Sequence, residues 1–151
     1  MSDIIGTDFP LTPEVETLLK ALVGTIIPES IDHNTPGADD PVIFADLLLS
    51  AGSMLDYIGT SLQVLAEESD FLNADADERV VLAEQFRANQ PEAVGLIVSL
   101  VGQCYYRDPR VLEALGMAPR APFPEGFAID QGDWSLLDPV RQRGSLYRPT
   151  S

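Results

Sequence analysis

Four times in this chain a polar residue stands directly before a proline that opens an apolar, helically spaced run: Thr12-Pro13, Asp40-Pro41, Gln90-Pro91 and Asp108-Pro109. Proline is excluded from helix interiors, but its fixed φ and missing N–H suit the first helical position, and a preceding Thr or Asp offers an oxygen to the free N–H groups there. These pairs therefore mark helix starts. Val15, Leu18, Leu19, Leu22, Val23 and Ile26 follow the first pair until Pro28 stops the run, and Val42, Phe44, Leu47, Leu48 and Leu49 follow the second. Gly52 breaks or kinks that helix, after which Met54, Leu55, Ile58, Leu62, Leu65 and Ala66 keep one apolar face up to Glu67-Glu68-Ser69-Asp70. A fourth helix is capped by Asp75 or Asp77 and carries Val80, Val81, Leu82 and Phe86, and a fifth turns Val94, Ile97, Val98, Val101 and Tyr105 inward. A short sixth, over 110–115, is closed by Gly116 as a left-handed cap. No segment alternates with period two and β-branched enrichment, so the fold class read from the sequence is all-α, a small bundle of about five or six helices with a largely irregular, proline-rich C-terminal arm.

The arm is set apart by its charge. Residues 1–106 hold 18 acidic and 3 basic side chains, whereas residues 107–151 hold 6 of each, together with half of the twelve prolines and the only tryptophan. The expected organisation is a helical bundle domain over 1–116 and an extended arm over 117–151. A net charge of -15 over 151 residues makes a phosphate-backbone or anionic-membrane binder a poor expectation, because both depend on clustered Lys and Arg. The longest apolar-rich windows, around 42–49 and 94–101, are far short of the ~20 residues of a membrane span, so neither nucleic acid nor membrane is expected as a partner.

Chemistry is hard to find in the body. His33 is the only histidine, beside Asp32 and near Asp39 and Asp40; counted from Asp32 as a calcium loop, Gly37 fits the sixth place, but Ile43 fills the twelfth and Pro36 the fifth. Asp70, Asp75, Asp77 and Glu78 read as charge at a helix N-terminus, where the macrodipole favours it. Cys104, the single cysteine, follows an apolar run and reads as a small core residue with no second histidine to activate it or any serine. There is no dinucleotide glycine fingerprint, P-loop or haem-attachment motif. The expectation is a non-enzyme with no catalytic, metal or cofactor-binding residues.

The residues with most individuality are Ile26-Ile27-Pro28 after the first helix, Pro36-Gly37-Ala38 in the next turn, and Tyr105-Tyr106-Arg107-Asp108-Pro109 with Leu115-Gly116. In these, and over most of its length, the chain resembles the gluconate 2-dehydrogenase subunit 3 family; the stretch from Phe123-Pro124 through 133–141 looks like a branch associated with sugar or glycoside oxidation. The resemblance implies a non-catalytic small subunit that binds and stabilises a large FAD-dependent dehydrogenase of the glucose-methanol-choline type, often in complexes that include a cytochrome c. FAD then belongs to the partner. Many members carry an N-terminal twin-arginine signal; the first ten residues here contain neither Lys nor Arg, so the expected localisation is cytoplasmic, or periplasmic by co-export on a signal borne by the partner.

The arm supplies what such a subunit needs to dock. Phe123, Phe127, Trp134 and Tyr147 lie beyond Gly116 with Leu136, Leu137, Val140 and Leu146, in a stretch read as too proline-rich to be helical. That surface is covered either by the body or by a partner. Trp, Tyr and Arg are the usual interface anchors, and the residues expected to touch the partner are Tyr106, Arg107, Arg120, Phe123, Phe127, Trp134, Leu136, Leu137, Arg141 and Tyr147. Of the adjacent tyrosines, one is expected in the core and the other on the surface, with Asp108 capping the sixth helix. The acidic body reads as a solvated surface or as a means of steering towards a basic face; mimicry of DNA is a weaker reading. The alternative function is a free-standing acidic helical interaction module with no flavoprotein partner.

Overall fold

All four of those prolines stand in the first turn of a helix in the computed structural model, which describes residues 11–120, 126 and 132–143. The order is α1 (Pro13–Ile26), α2 (Pro41–Ala51), a 3₁₀ turn (Gly52–Met54), α3 (Leu55–Glu68), α4 (Ala76–Asn89), α5 (Pro91–Tyr105), α6 (Pro109–Ala114), a second 3₁₀ turn (Trp134–Leu137) and α7 (Asp138–Gln142). Among the described residues there is no strand, only an isolated antiparallel bridge between Ser30 and Thr35. The all-α class is as the sequence reads.

The caps explain where helices begin. Thr12 accepts the Val15 N–H at 3.4 Å, Asp40 those of Val42 at 3.0 Å and Ile43 at 3.4 Å, and Asp108 that of Arg110 at 2.9 Å. Between the two candidates for α4, Asp75 is the cap, in a reciprocal box with Glu78. Gln90 does not cap α5 through its side chain; instead its N–H donates to the Phe86 carbonyl at 2.8 Å and ends α4, while its carbonyl accepts from Val94 at 3.0 Å and begins α5. Gly52 takes φ +51°, a conformation that favours glycine, and bends the apolar run between α2 and α3 without ending it. After α6, Gly116 at φ +74° donates to the Glu113 carbonyl and Met117 to that of Leu112, the paired bonds of a Schellman closure.

Helix α5 is the centre of the bundle and touches α1, α2, α3 and α4. Leu19, Leu22, Val23, Ile43, Leu47, Leu55, Ile58, Leu62, Ile97 and Val101 form the dry core with Phe71 from the α3–α4 connection. Three sequence assignments change here. Val80 and Val81 are more than half exposed, because α4 lies on the rim and turns only Phe86 fully inward, with Leu82 and Ala83 packed beside it. Val98 is also exposed: the inward face of α5 is set by Val94, Ile97, Val101 and Tyr105, and Val98 falls beside it. Finally, 28 residues from Pro41 to Glu68 run as one bent helical stretch long and apolar enough, by length and composition alone, to cross a membrane, although neither half is. Its Ile43, Leu47, Ala51, Leu55, Ile58 and Leu62 are spent on the bundle core.

The chain separates into two compact units, Met1–Pro119 and Arg120–Ser151. The second contains a short helical stretch where proline content pointed to none. Asp133 accepts from Ser135 N–H at 3.0 Å and from its hydroxyl at 2.6 Å, and Pro139 stands in the first turn of α7, the position a helix tolerates.

Candidate functional site

Three stretches singled out in the sequence converge on one corner of the first unit, at the C-terminal end of α5. The connection from α1 to α2 is folded as a small hairpin, closed by Ser30–Thr35 backbone bonds of 3.0 Å, with Asn34 at φ +50° in its turn. His33 sits exposed on that turn. The hairpin is fastened back by the Ala38 N–H donating to the Ile27 carbonyl at 2.8 Å, and Ala38 is wholly buried. A side chain at Gly37 would begin 2.9 Å from the backbone nitrogen of Glu29. Glycine is therefore needed here for close approach of two chain segments. From α5, the Tyr105 hydroxyl donates to the Pro36 carbonyl at 3.1 Å, joining positions far apart in sequence.

Tyr105 is 5% exposed and Tyr106 57% exposed, their rings edge-to-face at 5.3 Å, so one tyrosine is core and its neighbour surface. Beside them, the Arg107 guanidinium donates to both carboxylate oxygens of Asp46 and to the Ser50 hydroxyl, which ties the end of α5 to the middle of α2. Asp46 is the main reason Arg107 holds its proton more tightly than a free arginine. Burial pushes the Cys104 thiol up, which favours its protonated form as a buried core group.

The most constrained group is Arg110. Its guanidinium donates to Asp40 at 2.7 and 3.0 Å and to Asp108 at 2.9 and 3.0 Å, while each of those carboxylates also caps a helix. One cation thus joins the N-terminus of α2 to that of α6. The Arg110 hydrogen bonds hold both Asp40 and Asp108 below the usual carboxylate range, against the opposing effect of desolvation. Arg110 is raised in turn by the same two carboxylates. A guanidinium whose donors already face two carboxylates has little left for an anionic ligand, so this group locks the corner. A cleft of about 630 Å³ opens against it, lined by Glu29, Ser30, Asn34, Thr35, Arg110 and Glu113 among others.

Of the residues expected to meet a partner, Tyr106 and Arg107 lie at this corner, half or more exposed. In the second unit, Trp134 is 62%, Leu136 74%, Leu137 41% and Val140 58% exposed. Arg141 pairs with Asp138 at 3.2 Å, and Arg120 donates to the Gly126 carbonyl at 2.8 Å. Phe123, Phe127 and Tyr147 lie outside the described residues. Sequence reasoning missed Asp40 and Arg110 as a pair, as it did Asp46 and Ser50 beneath Arg107. Only Arg110's position two residues after a capping Asp was visible; its other partner is 70 residues away.

Among the described residues no three His, Cys, Asp or Glu side chains are gathered as a metal ion would require. Compared with protein-family models, curated proteins and solved structures, the chain finds no match.

Proposed function

We propose that this chain is a non-catalytic small subunit that binds and stabilises a large FAD-dependent sugar or polyol dehydrogenase of the glucose-methanol-choline type. The observation that carries the reading is the exposed aromatic and apolar set Tyr106, Trp134, Leu136 and Val140, side chains of the kind that anchor interfaces when a partner removes them from water. The resemblance in Ile26-Ile27-Pro28, Pro36-Gly37-Ala38 and Tyr105–Pro109 supplies the partner class, and it gains weight from those stretches sharing one hydrogen-bonded corner. On this reading FAD sits in the large subunit, some such complexes also include a cytochrome c, and this chain contributes binding surface without reacting groups.

Co-expression with a large FAD-dependent dehydrogenase of this type tests the proposal. The expected result is a stable complex carrying sugar-dependent dye reduction, and the isolated chain neither binds flavin nor oxidises sugar. Dye reduction by the purified 151-residue chain alone would overturn it. So would failure to associate with a dehydrogenase bearing the dinucleotide glycine fingerprint, which would favour a helical interaction module with no flavoprotein partner.

A further inference from the structure

An apolar cleft with an acidic rim lies in the first unit where the α3–α4 connection meets α4. A cleft of about 530 Å³ is lined by Asp70, Asn73, Asp77, Glu78, Val81 and Leu82. Its floor is apolar: Val81 is 56% exposed and Leu82 half-buried, with Val80 and Leu72 exposed nearby. Nothing in bundle packing explains a pair of valines on the outer face of a rim helix.

The rim is anionic: Asp70, which accepts from the Asn73 amide at 2.8 Å, stands with Asp77 and Glu78 in the first turn of α4. Among the described residues no ion pair reaches Asp70, Asp75, Asp77 or Glu78. Arg79, in the same helix, is turned away from them: it donates to the carbonyls of Phe71 at 3.1 Å and Leu72 at 2.7 Å, and stands 5.9 Å from the Phe71 ring. Arg79 thus closes the end of the α3–α4 connection and forms no ion pair with Asp70 or Asp77, which border the apolar floor. A second copy of this surface is a poor occupant, because like charges would face each other across it. The complementary occupant presents an apolar side chain to Val81 and Leu82 and lysines or arginines to the rim.

We propose that this cleft docks a cationic amphipathic segment of a protein partner, with Val81 and Leu82 taking its apolar side chain and Asp70 and Asp77 its basic flanks. The inference does not depend on the identity of that partner, and its test needs no flavoprotein, so it stands or falls apart from the subunit assignment.

The probe is an amphipathic leucine–lysine peptide of about 14 residues, titrated into the full isotope-labelled chain. Two control peptides accompany it: one of equal charge with glycine for leucine, and one with glutamate for lysine. Amide shifts concentrated over 70–82, for the leucine–lysine peptide alone, are the expected result. Val81→Asp and Asp77→Lys, both at exposed positions, should each weaken binding at least tenfold with the helical signal unchanged, and rising salt should weaken it further. Equal binding of the glycine–lysine peptide would reduce the site to unspecific charge attraction and overturn the proposal. Shifts outside 70–82, or variants that bind as the parent does, would overturn it as well.

Discussion

Asp108 offers the sharpest measurement of what holds the corner together, because it carries two separable interactions. Its Oδ1 accepts the Arg110 N–H at 2.9 Å as a cap, and both its oxygens accept from the Arg110 guanidinium, in a residue only 7% exposed. If capping were all, Asp108→Asn would be nearly silent and Asp108→Ala would cost about 1 kcal/mol, since Asn caps as well as Asp. The guanidinium changes that. A hydrogen bond to a charged group contributes about 1.5–3 kcal/mol when buried, but Arg110 is 46% exposed and keeps Asp40, so we take the lower end or less. Asn retains the cap and loses the charge, at an expected cost of about 1 kcal/mol; Ala loses both, at about 2 kcal/mol.

Chemical denaturation of the free chain, with the two variants and Asp40→Asn, checks this. Thermal midpoints should fall by about 2–4 °C for each kcal/mol. Because Asp40 and Asp108 share Arg110, the double variant should lose less than the sum of the singles. Asp108→Asn indistinguishable from the parent would refute the three-residue lock and leave only the cap. Equal losses for Asn and Ala would refute the cap. Additivity of Asp40→Asn with Asp108→Asn would show that Arg110 does not couple the two helix starts.

Acid should expose the same lock. Two carboxyls with lowered folded-state values contribute stability that is fully present above about pH 4 and lost as pH falls below it through those values; Arg110→Gln should flatten that limb of the stability–pH curve, measured by denaturant midpoints between about pH 2 and 6. Tyr105→Phe removes the bond to the Pro36 carbonyl and should cost about 1 kcal/mol, whereas Tyr106→Ala should leave the isolated chain's stability within about 0.5 kcal/mol, since Tyr106 is exposed. Gly37→Ala forces a methyl against the Glu29 backbone nitrogen and should cost about 1–3 kcal/mol by denaturation. Trp134→Ala should weaken the complex with the large subunit by about 2 kcal/mol or more in a titration while the free chain melts as before; a lowered melting temperature would instead make Trp134 part of this chain's own packing.

How legible this was follows from the range of each interaction. The helix starts at Thr12, Asp40 and Asp108 were visible because cap, proline and apolar period lie within one turn of chain, and the left-handed closure at Gly116 for the same reason. The identity of the α4 cap was open between Asp75 and Asp77 until Glu78 selected the first by reaching back to its N–H. Burial was less legible: an apolar count puts Val80, Val81 and Val98 inside, but α4 lies on the rim and α5 shows its partners only one arc of its surface, so which valines face inward depends on neighbours that the local period does not specify. The corner was readable in its parts and not in its joints. Tyr105–Asp108 and Pro36–Ala38 stood out as unusual stretches, yet the bond between the Tyr105 hydroxyl and the Pro36 carbonyl spans 69 positions, and the Asp40–Arg110 pair 70.

That long reach bears on what the corner does. Helix α6 has six residues, too few to be stable alone, and its direction is set by Val111 in the core and by Arg110 held between Asp40 and Asp108. The chain leaves the first unit immediately after it, through Gly116 to Pro119. Loosening Arg110 should therefore free α6 before it unfolds the bundle, because Leu19, Leu22, Ile58 and Ile97 pack without it. Amide exchange separates the two cases. In Arg110→Gln the N–H groups of Leu112 and Leu115, which donate to the Asp108 and Val111 carbonyls, should lose protection while that of Val94 in α5 keeps it; equal loss at all three would mean that the corner and the core unfold as one.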